Sequence, residues 1–146
     1  MRPFTYVQLP ARVVFGEGAR RHLAAEVDAL RGDRVMLIAQ GDADEITGLL
    51  GDRVVLRWEE IAQHVPIELA ERAREAALEA GIDVIVSVGG GSATGLAKAV
   101  ALTMRRPIVA VPTTYAGSEQ TTIYGLTGDR HKQTGKSLDA VGQRVE

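Results

Sequence analysis

Residues 84–100 read VIVSVGGGSATGLAKAV, and this stretch decides the fold. The apolar run at its start, rich in valine and isoleucine, is typical of a buried strand in a parallel sheet. Gly89, Gly90 and Gly91 end the run, and Ser92 stands where the N-cap of a helix is expected. Small and apolar residues then recur at helical spacing over 92–105. The stretch therefore predicts a strand, a glycine turn and a helix in that order.

A glycine turn between a strand and a helix favours the binding of a diphosphate. Glycine lets the backbone approach a ligand closely, and the first amides of a helix have no partner within the helix. Many such turns bind nothing, so the glycines alone leave both a phosphate site and a plain turn open. Their spacing differs from the dinucleotide fingerprint G-x-G-x-x-G. Gly135-Lys136-Ser137 resembles the end of a P-loop, but Arg130 stands where that motif needs its first glycine.

Strand and helix patterns alternate along the rest of the chain. The predicted elements are β-like runs at 4–8 and 12–15 that can pair with each other, a helix over 18–30, a strand at 35–39, a short helix to residue 50, a strand at 54–58, a helix that follows Pro66 and ends at Gly81, and a strand at 108–111. Residues 121–127 are expected to be extended, with a hairpin, loop and tail after them. This order predicts an α/β fold: a Rossmann-like parallel sheet with helices on both faces.

Composition and charge exclude several classes of function. The chain has 146 residues, 45% of them apolar and 25% charged, as in a globular domain with a core of its own. The net charge of −2 gives no electrostatic basis for binding nucleic acid or an anionic membrane. There is no cysteine, and His22, His64 and His131 are scattered, so we predict no metal site in this chain. No segment approaches the ~20 apolar residues of a membrane span, which predicts a cytoplasmic protein.

Polar residues follow two other predicted strands. Asp42 and Asp44 come after the strand at 35–39, where they can contact a ribose or cap the next helix. Thr113, Thr114 and Ser118 come after the strand at 108–111, in the run PTTYAGSE at 112–119. Hydroxyl groups can donate to phosphate or ribose without adding charge, and they can also hold a turn together.

Two motifs, GGGSATGLAK at 89–98 and PTTYAGSE at 112–119, together resemble the iron-containing alcohol dehydrogenase superfamily, which includes glycerol dehydrogenases and dehydroquinate synthases. Gly95 stands where the superfamily usually has aspartate, and the second motif is one residue shorter than usual. Both departures are similar to one branch, the maleylacetate reductases. The runs LPARVVFG at 9–16 and HVP at 64–66 resemble this branch as well, and the similarity spans about residues 1–136.

The resemblance implies an NAD(P)H-dependent oxidoreductase that reduces maleylacetate, a small molecule, to 3-oxoadipate in aromatic-compound degradation. The cofactor that the resemblance implies is NAD(H) or NADP(H). Gly95 argues against a dehydroquinate synthase, because glycine at this position removes a carboxylate of the superfamily pattern. The cofactor-binding residues that the resemblance implies are Gly89, Gly90, Gly91 and Ser92 at the pyrophosphate, and Thr113, Thr114 and Ser118 along the nucleotide and nicotinamide.

The resemblance also sets the expected domain organisation. Residues 1–136 are the nucleotide-binding α/β domain, 137–146 an irregular tail, and the helical catalytic domain of the family is absent. The chain is then an excised domain or a truncated protein, inactive alone, with a homodimer or a helical partner domain covering its apolar surface. The alternative is a catalytically inactive module that stands alone and binds a nucleotide or a partner.

Two residues near the turn carry groups able to take part in catalysis. Lys98 lies two helical turns from the glycines, so we expect it to pack against or solvate its helix face. His64 lies in a loop from which it can approach the cleft, although a loop histidine is more often a surface residue. The sequence therefore assigns no catalytic residue.

Overall fold

The computed structural model describes residues 11–41, 43–121, 123–128, 132–136 and 142–145. The strands are β1 (Val13–Val14), β2 (Val35–Ala39), β3 (Val54–Trp58), β4 (Val84–Gly89), β5 (Ile108–Pro112), β6 (Ile123–Thr127), β7 (Lys132–Lys136) and β8 (Gly142–Val145). The α-helices are α1 (Leu23–Ala29), α2 (Asp44–Leu50), α3 (Ile67–Ala80) and α4 (Gly91–Met104). Short 3-10 turns lie at Ala19–His22, Gly51–Arg53 and Ser118–Gln120.

A parallel sheet of six strands, in the order β1-β8-β5-β4-β2-β3, forms the body of the described residues. The chain passes from β2 outward to β3 and then returns to the other side of β2 to form β4 and β5. The strand order therefore reverses between β2 and β4, which makes this the switch point of the sheet. Ala39 pairs with Val88 there, so the residues that follow both strands emerge side by side.

The core lies on both faces of the sheet. Along β2, Met36 and Ile38 pack with residues of α3 and α4, whereas Val35, Leu37 and Ala39 pack with residues of α1 and α2. Each of these five side chains is at most 1% exposed. Alternation of this kind, with apolar residues in both directions, is what a strand covered on both faces requires. The predicted α/β fold with helices on both faces is confirmed.

The end of the chain differs from its prediction. Residues 142–145, which the sequence placed in an irregular tail, form β8 and pair in parallel with both β1 and β5. Their sequence GQRV has no apolar run, so backbone pairing with β5 rather than side-chain pattern defines this strand. The run at 4–8 lies outside the described residues, and β1 pairs with β8.

Residues 123–127, within the stretch expected to be extended, form β6, which pairs antiparallel with β7 in a hairpin. The hairpin therefore begins before residue 128, after which the sequence placed it. It is held beside the loop before α3, because the backbone N–H of Thr127 donates to the carbonyl of Val65 at 3.0 Å. Pro66 and Thr127 also form an isolated bridge. No helix that the structure describes has the length and apolar character needed to cross a membrane.

Candidate functional site

The glycine turn joins the carboxyl end of β4 to the start of α4. Gly89 has a φ of +146°, a region that favours glycine, and a Cβ there would lie 3.0 Å from the Cβ of Ala93. Gly90 is the N-cap, so Ser92, which the sequence placed at that position, lies in the first helical turn. Among the described residues no side chain caps this start. The first amides of α4 therefore remain available to a ligand.

Thr113 and Thr114 lie across the turn, at the end of the neighbouring strand. Gly89 pairs with Pro112, and the backbone N–H of Thr113 donates to the carbonyl of Gly89 at 3.0 Å. A Cβ at Gly90 would lie 3.2 Å from the Oγ1 of Thr114. Both threonines are exposed. The fold thus brings together two motifs that are separate in the sequence.

A groove of about 590 Å³, here called the turn groove, runs over the glycine turn. Its lining residues include Gln40, Gln63, Gly89, Gly90, Gly91, Ser92, Ala93, Thr113 and Thr114. Because Gln40 follows β2 and Gly89 ends β4, the groove lies at the switch point, where doubly wound folds bind ligands. Gln40 rather than Asp44 lines it: Asp44 lies in the first turn of α2 with its side chain 88% exposed. Asp42 is outside the described residues.

A second cavity of about 400 Å³, here called the lysine pocket, continues from the turn groove. The two share Gln63, Gly91 and Ser92. The lysine pocket is also lined by His64, Val65, Gly95, Lys98, Ser118, Tyr124 and Gly125. Of the residues that the sequence proposed for cofactor binding, Ser118 lies in this pocket and the others line the turn groove.

Lys98 is buried at the wall of the lysine pocket, with 1% of its surface exposed. Its Nζ donates to the Oγ of Ser118 at 3.3 Å and to the Oγ1 of Thr121 at 3.2 Å. Solvation of Lys98, one of the two expectations from the sequence, is therefore wrong. The signal was present: α4 is apolar on nearly all sides, and such a helix is buried all round, including its one lysine.

Glu119 is the second buried charged residue of this region, with 2% of its surface exposed. It belongs to the turn Ser118–Gln120, directly after the threonine motif. Burial lowers the pKa of Lys98 from 10.5 to about 8, while the charge of Glu119 acts to raise it. Glu119 ends the motif PTTYAGSE, and its position in the sequence alone indicates no role for it. The structure shows that its charge offsets part of the cost of burying the ammonium.

The loop before α3 explains the glycine at position 95. His64 and Val65 both have positive φ, +62° and +40°, which is a strained conformation for the β-branched valine. A Cβ at Gly95 would lie 2.9 Å from the Cγ2 of Val65. Val65 thus occupies the space that an aspartate at position 95 would need. His64 is exposed, as expected, and it also lines the lysine pocket.

The parallel sheet with helices on both faces defines a Rossmann-like α/β domain. The sequence matches the family described as iron-containing alcohol dehydrogenase over residues 10–141, and the chain belongs to this family. The resemblance stated from the motifs is confirmed.

Individual relatives agree with this assignment. The chain is 46% identical over 149 residues to a maleylacetate reductase of Burkholderia cepacia, covering 99% of this chain and 42% of that protein. It is 43% identical over 138 residues to a maleylacetate reductase of Rhizobium sp. (strain MTP-10005), covering 92% and 39%. The chain thus spans less than half the length of these relatives.

Solved structures share the fold. Maleylacetate reductase from Agrobacterium tumefaciens matches with a TM-score of 0.94 and 39% identity, covering 99% of this chain and 43% of that one. Sulfoacetaldehyde reductase from Bifidobacterium kashiwanohense, in complex with NAD+, matches with a TM-score of 0.89 at 19% identity, covering 99% and 46%.

The family description names iron, and an iron site needs several ligating side chains close together. The described residues contain no group of three or more His, Cys, Asp or Glu side chains placed to hold a metal ion. His131 lies outside the part of the chain that the structure describes. The described residues therefore do not fit an iron site.

Proposed function

We propose that this chain is the dinucleotide-binding part of an NAD(P)H-dependent reductase of the maleylacetate reductase type. The turn groove is the observation that carries the proposal. It combines uncapped helix amides, a floor of glycines without Cβ atoms, and the hydroxyls of Thr113 and Thr114 on the far side. A diphosphate needs many hydrogen-bond donors at close range, and this groove supplies them.

The two connected cavities fit the two halves of a dinucleotide. With the diphosphate at Gly90, Gly91 and Ser92, the adenosine half extends toward Gln40, since doubly wound folds place that ribose at the end of the adjacent strand. The other half extends into the lysine pocket. A bound nicotinamide supplies hydride chemistry, and the chain's own residues bind it and orient it. NAD+ on the same fold in the sulfoacetaldehyde reductase is consistent with this arrangement.

The names of the relatives suggest maleylacetate as the substrate of the whole protein. Hydride transfer requires nicotinamide and acceptor to be held close to contact, and such positioning supplies a large part of the rate. The resemblance assigns the opposite wall of the cleft to a helical domain. We therefore propose that the 146-residue chain binds NADH but does not oxidise it when maleylacetate is added. Steady-state loss of NADH absorbance measures this, and turnover on the order of 10 per second would contradict it.

Calorimetric titration with NADH tests the binding itself. We expect Gly90→Val to weaken the affinity at least tenfold, because its side chain extends toward Thr114 and fills the floor of the turn groove. Gly48→Val is the matched control, since Gly48 lies in α2 with no heavy atom within 4 Å of its added Cβ. Gly48→Val should bind as the parent does. Equal affinities for the Gly90→Val chain and the parent chain would overturn the proposal, as would the absence of NADH binding to the parent.

A further inference from the structure

We infer that Lys98 is a positioning residue: its ammonium fixes the hydroxyl of Ser118 as a hydrogen-bond donor toward the nicotinamide half of the dinucleotide in the lysine pocket. The inference rests on the proposed function and assigns a role to a residue that the glycine and threonine motifs leave unexplained. It is carried by the contacts of three neighbouring side chains: Lys98, Ser118 and Thr121.

The chemistry of the ammonium fixes the direction of the hydrogen bonds that join Lys98 to Ser118 and Thr121. A lysine ammonium has donors and no acceptor, so the Oγ of Ser118 and the Oγ1 of Thr121 must both accept from Lys98. Thr121 uses its own hydrogen within the protein, because its Oγ1 donates to the backbone carbonyl of Ser118 at 3.3 Å. Ser118, by contrast, donates its hydroxyl hydrogen to no acceptor among the described residues, so this hydrogen is available to a ligand.

The hydroxyl hydrogen of Ser118 can reach an acceptor in the cavities that this residue lines. Ser118 is half-buried and lines the lysine pocket. It also lines an adjoining cavity of about 480 Å³ that includes Tyr124 and Thr134. An acceptor oxygen placed in the pocket, such as one of a ribose or a carboxamide, would meet a hydroxyl whose hydrogen is turned away from the ammonium and is available to donate. The nearby ammonium polarises this hydroxyl and strengthens the bond that it donates.

Burying the ammonium of Lys98 at this position has an energetic cost. Burial lowers the pKa of Lys98 to about 8, which shows that the charged form is disfavoured by its surroundings. An apolar side chain would fill this helix position without that penalty. A buried charge at the wall of a cavity, in contact with a hydroxyl that lines it, is the arrangement typical of a functional site.

The test compares NADH with ADP, which lacks the nicotinamide half, by calorimetric titration of the 146-residue chain. We expect Lys98→Met to weaken NADH binding about tenfold and to change ADP binding less than twofold. Ser118→Ala should behave in the same way. The double variant should bind NADH no more weakly than Lys98→Met alone, because both substitutions remove the same oriented donor.

Arg74→Met is the matched control. The Nε of Arg74 donates to the carbonyl of Ala99 at 2.8 Å, so this cation also contacts α4, but Arg74 is not a lining residue of the lysine pocket or the turn groove. Its removal should leave the affinities for NADH and ADP unchanged. A general effect of losing a cation beside α4 would appear in this variant too.

Several outcomes would overturn the inference. These are unchanged NADH affinity in Lys98→Met, equal losses for NADH and ADP, or additive losses in the double variant. If Lys98→Met does not fold by circular dichroism, Ser118→Ala decides: an unchanged ratio of NADH to ADP affinity overturns the inference. Failure of the parent to bind either nucleotide would overturn the proposed function as well, whereas the other outcomes leave that function intact.

Discussion

The turn groove and the lysine pocket share Gln63, Gly91 and Ser92, yet they are built by opposite means. The turn groove depends on missing side chains, because glycines expose backbone amides at the start of α4. The lysine pocket has the buried Lys98 in its wall, and the charge of Glu119, which is also buried, acts on that lysine. The first is therefore sensitive to added atoms and the second to changes of charge.

The largest effect is expected from Glu119→Gln. At pH 7 Lys98 is protonated, since its pKa is about 8, and its buried ammonium then loses the nearby negative charge. Removing one partner of a buried charged pair is strongly destabilising, so the free energy of unfolding should fall by about 3 kcal/mol. Urea denaturation at pH 7 measures the change.

Glu71→Gln is the control for this prediction, because Glu71 is exposed on α3. That substitution should change stability by less than about 0.5 kcal/mol. A loss in Glu119→Gln no larger than the loss in the control would show that the lysine pocket does not depend on its charges.

Lys98 should also make stability depend on pH. Its pKa is about 8 in the folded chain against an ordinary value of 10.5, so between these values the unfolded chain binds more protons. The penalty of the buried charge is complete below pH 8 and declines as the pH rises. From about pH 7.5 to 9.5 the free energy of unfolding should rise by about 2 kcal/mol relative to Lys98→Met.

Urea titrations of the parent chain and of Lys98→Met at both pH values measure this difference. Lys98→Met retains every other titrating group, so the difference between the two curves isolates Lys98. Curves that remain parallel across this range would mean that the ammonium is not destabilised by burial.

The turn groove depends largely on one continuous stretch and the lysine pocket on contacts between separate segments. This difference decides how much of each can be predicted from the sequence. The bounds of β2 and β3 agree with the predicted 35–39 and 54–58, because short apolar runs between polar residues define them locally. The glycine turn is equally local: strand, glycines and helix follow one another within a single stretch. Hence the glycines and Ser92 of the first motif meet Thr113 and Thr114 of the second in one groove.

The rest of the site depends on contacts between distant segments. Val65 occupies the space beside Gly95, and Lys98 donates hydrogen bonds to Ser118 and Thr121. The spacing of residues within one segment cannot predict either contact. The strand β8 has the same origin, because the backbone of β5 defines it rather than its own residues. The buried lysine was the one such feature with a local signal, the apolar surroundings of α4.

The smallest effect is expected from Gly89→Ala, which tests whether the glycine turn is sensitive to an added side-chain atom. The φ of +146° is unfavourable for alanine, and the new Cβ would lie 3.0 Å from that of Ala93. The free energy of unfolding should fall by about 1.5 kcal/mol. Gly48→Ala is the control: no heavy atom lies within 4 Å of its Cβ, and alanine in a helix should stabilise the chain by about 0.5 kcal/mol.

The pH dependence of the loss in Gly89→Ala separates the turn from the lysine pocket. Because no titrating group is involved, this loss should be equal at pH 7.5 and 9.5. The loss in Glu119→Gln, by contrast, should shrink as Lys98 loses its proton. A pH-dependent loss in Gly89→Ala would show that the turn and the lysine pocket are energetically coupled rather than independent.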